Sequence, residues 1–165
     1  LQMTVMMAQI ANGGIRYEPY LVSRVDKADG TPLEVYGAKK TGTLQVSQSV
    51  MNIIRNGLRN VAAEGGTAGE IFQKFPITVA GKTGTSENAM GTDHGWFVAY
   101  APFDKPRIVV VAIVEQGGFG AGSAGPIAKA VLAAFFKVPN TPITPTAPKP
   151  VTTTQAVPTT GPKEE

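Results

Sequence analysis

Ile77-Thr78-Val79-Ala80-Gly81-Lys82-Thr83-Gly84-Thr85 decides how this chain is read. A short apolar, β-rich run leads into a lysine bracketed by glycines, with hydroxyls at alternating positions. Side chains alternate along a strand, so Thr83 and Thr85 share one face and Lys82 takes the other. Gly81 and Gly84 leave the backbone bare on both sides of Lys82 and Thr83, so that another molecule can approach it closely. On an edge strand the open N–H and C=O groups would bind an extended peptide by strand addition. The ammonium, the hydroxyls and the free amides together suit a peptide that carries a carboxylate. The plainer alternative is a hairpin arm whose glycines mark a bend and whose lysine is solvated.

Downstream, residues 86–95 form a loop, and Trp96-Phe97-Val98-Ala99-Tyr100-Ala101 reads as the next strand. A turn over residues 102–106 leads to the apolar, β-branched run 108–114. Three strands with short connections predict an antiparallel meander. The continuous apolar runs predict that its inner strands are covered on both faces. A glycine-rich turn spans residues 117–125. Pro126 then suits the first position of a helix, and Ile127, Val131, Leu132, Phe135 and Phe136 suit a stripe packed on the sheet.

Upstream, residues 67–75 read as a connecting loop. Val46, Val50, Ile53, Ile54, Leu58 and Val61 recur at steps of three and four, marking an amphipathic helix that Gly65-Gly66 ends. Residues 37–43 read as a polar loop. Residues 15–36 have β texture around an Asp29-Gly30 turn, with Pro19 and Pro32 suggesting edge positions. Residues 1–12 are helical in spacing, and Gly13-Gly14 closes them. The folded part is therefore residues 1–137. Residues 138–165, almost all Pro, Thr, Ala and Lys, have too little to bury to offset their ordering entropy, and are expected to form a disordered tail.

Composition narrows the function classes. The 165 residues carry a net charge of +3 with scattered Lys and Arg, and no basic stripe with interleaved aromatics points to nucleic acid. With no cysteine and one histidine, a disulfide framework, a thiolate metal site and a His-rich metal cluster are all excluded. No run reaches the roughly 18 apolar residues of a membrane span, and no secretory-leader pattern opens the sequence. Leu1 falls inside a helical pattern, as it would in a piece of a longer protein.

Several residues invite stronger readings than their context supports. Asp93-His94 has the chemistry of an acid–base pair, but its place before a strand suits a polar turn. Trp96 and Tyr100 share a face that would stack on a substrate or, more simply, pack in the core. Glu115 reads as the solvated end of a strand, and Met3, Met6, Met7 and Met51 as helix packing. The glycine-rich turn lacks the Lys-Ser/Thr ending of a phosphate cradle. Lys40-Thr41-Gly42-Thr43 repeats Lys82-Thr83-Gly84-Thr85 letter for letter, yet no apolar strand leads into it.

The run Val79-Ala80-Gly81-Lys82-Thr83-Gly84-Thr85-Ser86 resembles the third active-site motif of penicillin-binding proteins, whose set is Ser-x-x-Lys, Ser-x-Asn and Lys-Thr-Gly. Its context extends the resemblance over most of residues 1–137. That context includes Ala11-Asn12-Gly13-Gly14, Glu64-Gly65-Gly66-Thr67-Ala68, Trp96-Phe97-Val98-Ala99-Tyr100-Ala101-Pro102 and the Ala-Gly-Pro-Ile helix start. It looks most like the class B transpeptidases. The resemblance implies an α/β fold of the β-lactamase/transpeptidase type, an antiparallel sheet flanked by helices, of which this chain is the C-terminal part. It also implies a serine acyltransferase that cross-links peptidoglycan stem peptides outside the cytoplasmic membrane, binds β-lactams and uses no cofactor. Lys82 would bind the substrate carboxylate and support the proton network. Thr83 and Thr85 would hold the carboxylate by their hydroxyls, Gly84 would keep the strand unobstructed, and the Thr85 N–H would be one of two oxyanion donors.

The departures from the pattern are as informative. None of Ser23, Ser47, Ser49, Ser86 and Ser123 is followed three residues later by Lys, so the nucleophile is expected from an N-terminal half of the same domain. Ser86-Glu87-Asn88 spells Ser-x-Asn, but directly after the lysine motif, and reads as loop composition. Two alternatives stand beside the transpeptidase. One is a D,D-carboxypeptidase or β-lactam hydrolase, which differs only in what attacks the acyl-enzyme. The other is a non-catalytic fragment that binds peptidoglycan or a partner.

Overall fold

The computed structural model describes residues 1–89 and 91–141; most of the expected tail lies outside them. Its organising element is a three-stranded antiparallel sheet of β5 (Ala80–Ser86), β6 (His94–Ala101) and β7 (Ile108–Val114), in the order β5-β6-β7. The meander read from residues 77–114 is therefore present, although the first strand starts at Ala80 rather than in the preceding apolar run. The register runs without a bulge, from Ala80↔Tyr100 to Ser86↔His94 and from Gly95↔Val114 to Ala101↔Ile108.

Both faces of β6 are covered, as its continuous apolar sequence requires. On one face Val98 and Tyr100 meet Met7 and Ala11 of α1 (Gln2–Ala11). On the other, Phe97, Ala99 and Ala101 meet Ala124, Ala128 and Leu132 of α4 (Ala124–Phe136), with Ile71 and Phe72 of a short helix α3 (Gly69–Phe72). Phe97 stacks on Phe72 with ring centroids 5.6 Å apart. Helix α1 ends as its Gly-Gly pair predicts: Gly13 N–H donates to the Ile10 carbonyl and Gly14 N–H to the Gln9 carbonyl, with φ of 82° and 109°. Helix α2 (Gln48–Ala62) starts on a Ser47 cap that accepts from Val50 N–H. It packs against β5, and Arg55 ties it to the β6–β7 turn by donating to the Phe103 carbonyl (2.8 Å) and the Tyr100 hydroxyl (3.3 Å).

Four sequence expectations are corrected. Residues 40–43 are not loop but strand β4 (Lys40–Thr43), paired with β1 (Ile15–Tyr17); a second two-stranded sheet joins β2 (Arg24–Asp26) to β3 (Pro32–Val35) around the expected Asp29-Gly30 turn. Most of β4 is solvent-exposed, so it has no buried face to leave an alternating pattern, and it forms because β1 needs a hydrogen-bonding partner. Residues 69–72 within the expected connecting loop are helical, burying Ile71 and Phe72. Pro126 is the third residue of α4, not the first; its missing N–H is still one that the helix could not pair internally. Finally, of the expected α4 stripe Leu132 is fully buried and Phe136 packs against the core, but small residues fill the rest of the buried face and Ile127, Val131 and Phe135 are left about half exposed. Ala124, Gly125 and Ala128 win the buried face because they allow close approach; a Cβ on Gly125 would come within 2.5 Å of Ile71 Cδ1.

Lys129 shares that buried face of α4, and its ammonium donates to the Thr141 carbonyl at 3.2 Å. Burial pushes its pKa below the ordinary lysine value. A depressed base means that the unfolded chain binds the proton more tightly, so stability rises with pH between the folded value and the ordinary one. Lys129→Met is expected to raise Tm by about 2 °C at neutral pH. That gain should shrink as pH approaches about 10, which thermal melts from pH 7 to 10 would check.

Candidate functional site

The side chains singled out in the sequence come together on β5. Lys82, Thr83, Gly84, Thr85 and Ser86, with Met3 of α1 and Trp96 and Val98 of β6, line one open groove of about 220 Å³. Among the described residues β5 pairs on one side only, with β6, so it is an edge strand, the condition under which strand addition is open to it. Lys82 and Gly84 lie opposite Val98 and Trp96, and Thr83 and Thr85 opposite Phe97 and Gly95, so the predicted alternation holds. Residues of both sets nevertheless border the same groove.

The ammonium of Lys82 donates to the Thr83 carbonyl at 2.7 Å. It therefore lies along the strand beside the backbone while remaining exposed. The Thr83 hydroxyl lies 3.3 Å from that of Thr67, which follows the Gly65-Gly66 exit of α2. An exposed cation, hydroxyls and an open strand edge form a surface matched to an extended peptide ending in a carboxylate.

Two glycines let the strand pack this closely. A Cβ on Gly81 would stand 2.7 Å from the Val98 carbonyl oxygen, and one on Gly84 3.2 Å from Trp96 Cβ. A third, Gly120, was legible in the sequence only as part of a glycine-rich turn. It lies against the β5–β6 ladder, where a Cβ would come within 2.0 Å of the Trp96 oxygen and 2.4 Å of the Gly84 oxygen. Thr67 and Gly120 were missed as site residues because both act through contacts between segments far apart in the chain.

The remaining candidates separate cleanly. Tyr100 is fully buried, as core packing predicts, whereas Trp96 lines the groove and donates from Nε1 to Ser86 Oγ at 3.1 Å. Ser86-Glu87-Asn88 is a strand end running into a loop: Asn88 N–H donates to Asp93 Oδ1, and its side-chain amide to the Thr92 carbonyl. His94 is no partner of a nucleophile here; its Nδ1 accepts from Gln116 N–H at 3.0 Å. Glu115 is exposed. Met7 and Met51 are core residues, while Met3 and Met6 are substantially exposed. The Lys40-Thr43 copy lies on β4, in a sheet separate from β5. Among the described residues no cluster of His, Asp or Glu is placed to hold a metal ion, and no helix is long and apolar enough to cross a membrane.

Comparison with known proteins identifies the family. Residues 1–133 match the family model described as the penicillin binding protein transpeptidase domain. The chain is 30% identical over 151 residues to the peptidoglycan D,D-transpeptidase MrdA of Haemophilus influenzae, covering 80% of this chain and 23% of that protein. It is 31% identical over 144 residues to the peptidoglycan D,D-transpeptidase PbpA of Mycobacterium tuberculosis, covering 79% of this chain and 28% of that one. Among solved structures, it superposes on the D,D-transpeptidase domain of a peptidoglycan glycosyltransferase from Eggerthella lenta with a TM-score of 0.69 at 33% identity, covering 82% of this chain and 32% of that one. The imipenem acyl-enzyme complex of penicillin-binding protein A from M. tuberculosis gives 0.68 at 32% identity, covering 81% and 29%. The chain thus spans roughly a quarter of the length of the curated relatives it matches.

Proposed function

Because the chain belongs to the family of penicillin-binding protein transpeptidase domains, we propose that it supplies the substrate strand of a peptidoglycan D,D-transpeptidase of the class B kind, working on the outer side of the cytoplasmic membrane. The observation that carries the proposal is the placement of Lys82, Thr83 and Thr85 along an edge strand that borders an open groove. A stem peptide lies along β5. Its terminal carboxylate draws the Lys82 ammonium away from the Thr83 carbonyl and accepts from the Thr83 and Thr85 hydroxyls.

A serine from a Ser-x-x-Lys segment, which residues 1–165 do not contain, attacks the carbonyl carbon of the D-Ala-D-Ala bond. The carbonyl oxygen becomes an oxyanion that the Thr85 N–H stabilises by about 3 kcal/mol. The C–N bond then breaks and D-Ala leaves as the protonated amine. An amine of a second stem peptide attacks the resulting ester, forming the cross-link and returning the serine. A β-lactam is attacked at its ring carbonyl by the same serine and stays on as the ester.

The test uses fluorescent penicillin, with gel fluorescence and intact-mass measurement. The 165-residue chain alone is expected to form no ester, because no activated nucleophile is present to attack. Mixed with a separately made segment bearing Ser-x-x-Lys and Ser-x-Asn, it should support stoichiometric labelling of that segment's serine. An ester on this chain by itself, with Ser86 the first residue to inspect, would refute the proposal. Failure of the mixture to label, where circular dichroism and sedimentation show a folded complex, would favour a non-catalytic binding role.

A further inference from the structure

We propose that His94, together with the Asp93 carbonyl, is a positioning residue for the Gly84–Thr85 peptide, acting through the glycine-rich loop behind β5. Two hydrogen bonds pin the start of that loop to the start of β6. Gln116 N–H donates to His94 Nδ1 at 3.0 Å, and Gly118 N–H donates to the Asp93 carbonyl at 2.8 Å. At this start Gln116 has φ of 54°, in the left-handed region that residues with a side chain adopt uncommonly.

From this pinned start the loop runs onto the sheet with no room to spare. A Cβ on Gly95 would lie 2.1 Å from Ser123 Oγ and 2.9 Å from the Gly118 carbonyl oxygen, and Gly120 rests against the carbonyl oxygens of Trp96 and Gly84. The Gly84 carbonyl belongs to the same planar peptide as the Thr85 N–H, which points the opposite way. Where the loop sits therefore sets how that N–H is aimed, because close-packed contacts transmit displacement instead of absorbing it.

The imidazole makes this support depend on protonation. Nδ1 accepts from Gln116 only while it carries no proton, and in the imidazolium both ring nitrogens are donors. The charged residues on the segments meeting at His94 are Glu87 after β5, Asp93 beside it and Glu115 after β7. The Asp93 carboxylate receives Asn88 N–H, and among the described residues none of the three makes an ion pair with the imidazole. Proton gain thus sets two donors against each other at Gln116.

This inference rests on the reading of β5 as the acyl-site strand, but its test does not use acylation, so the two fail separately. Amide spectra of the ¹⁵N-labelled chain are followed from pH 5 to 8 in wild type, His94→Asn and His94→Ala. Asn offers an acceptor oxygen close to the place of Nδ1 and does not titrate. In wild type, the Gln116 and Thr85 amides should shift with the midpoint of the His94 ring, and Gln116 should lose about tenfold in exchange protection at low pH, as for one ordinary hydrogen bond. In His94→Asn both amides should stay near their neutral wild-type positions across the range. In His94→Ala, Thr85 should be displaced at every pH; if that variant does not fold, the wild-type and Asn spectra decide alone. A Thr85 amide that ignores the His94 titration, or that titrates unchanged in His94→Asn, would overturn the proposal.

Discussion

Replacing Lys82 by alanine in the assembled transpeptidase domain is expected to slow acylation by fluorescent penicillin by roughly hundredfold or more. The same change at Lys40 should leave the rate within about twofold of wild type, the range of an ordinary surface substitution. The two lysines sit in identical Lys-Thr-Gly-Thr strings, so local sequence cannot distinguish them. What separates them is the strand each occupies. Lys82 borders the β5 groove beside Thr83 and Thr85, whereas Lys40 lies on the solvent-exposed β4, across from Tyr17. In the proposed role, a β-lactam carboxylate approaching β5 would meet one ammonium that can be recruited from a backbone carbonyl. Stopped-flow acylation of both variants gives the answer, and comparable losses would mean that β4, too, faces the reacting peptide.

Gly120→Ala is expected to destabilise the fold by about 3 kcal/mol, lowering Tm by roughly 10 °C, and to move the Thr85 amide as well. The added methyl has no flexible side chain to push aside; it meets the carbonyl oxygens of Trp96 and Gly84 at 2.0 and 2.4 Å. Relief requires either lifting the glycine-rich loop off the sheet or opening the β5–β6 ladder, and both disturb the strand that carries the site. Gly57→Ala is the control of opposite sign. Gly57 lies inside α2 with open space around it, so a methyl there should stabilise by about 0.5–1 kcal/mol. Thermal melts of the pair compare a packed glycine with a merely flexible one, and equal effects would show that Gly120 is not held against the sheet.

The distribution of apolar residues in the chain accounts for which parts were legible. Strands β6 and β7 announce themselves because burial on both faces demands unbroken β-branched and aromatic runs. Helix α2 shows its period through Val50, Ile54, Leu58 and Val61. The Gly13-Gly14 and Asp29-Gly30 turns carry their own chemistry, since both need positive φ. By contrast, β4 is largely exposed and α3 is a single turn inside a loop, so neither leaves a periodic signal. Helix α4 is apolar nearly all round, which marks it as a helix without saying which side goes in.

From the residue string alone come the three-strand meander, the choice of Lys82, Thr83, Gly84 and Thr85 as the candidate site strand, and the resemblance that the family match bears out. Each follows from local rules: alternation, glycine placement, turn chemistry and a motif whose spacing is fixed by one strand. It took the packed structure to show that Trp96 borders the groove, that α4 turns Ala124, Ala128 and Leu132 inward and leaves Ile127, Val131 and Phe135 half exposed, and that Gly120 rests against the Gly84 carbonyl. These depend on how closely two backbones can approach across a sheet. That distance is set by pairs of residues far apart in the chain, and it has no period along one dimension from which to read it.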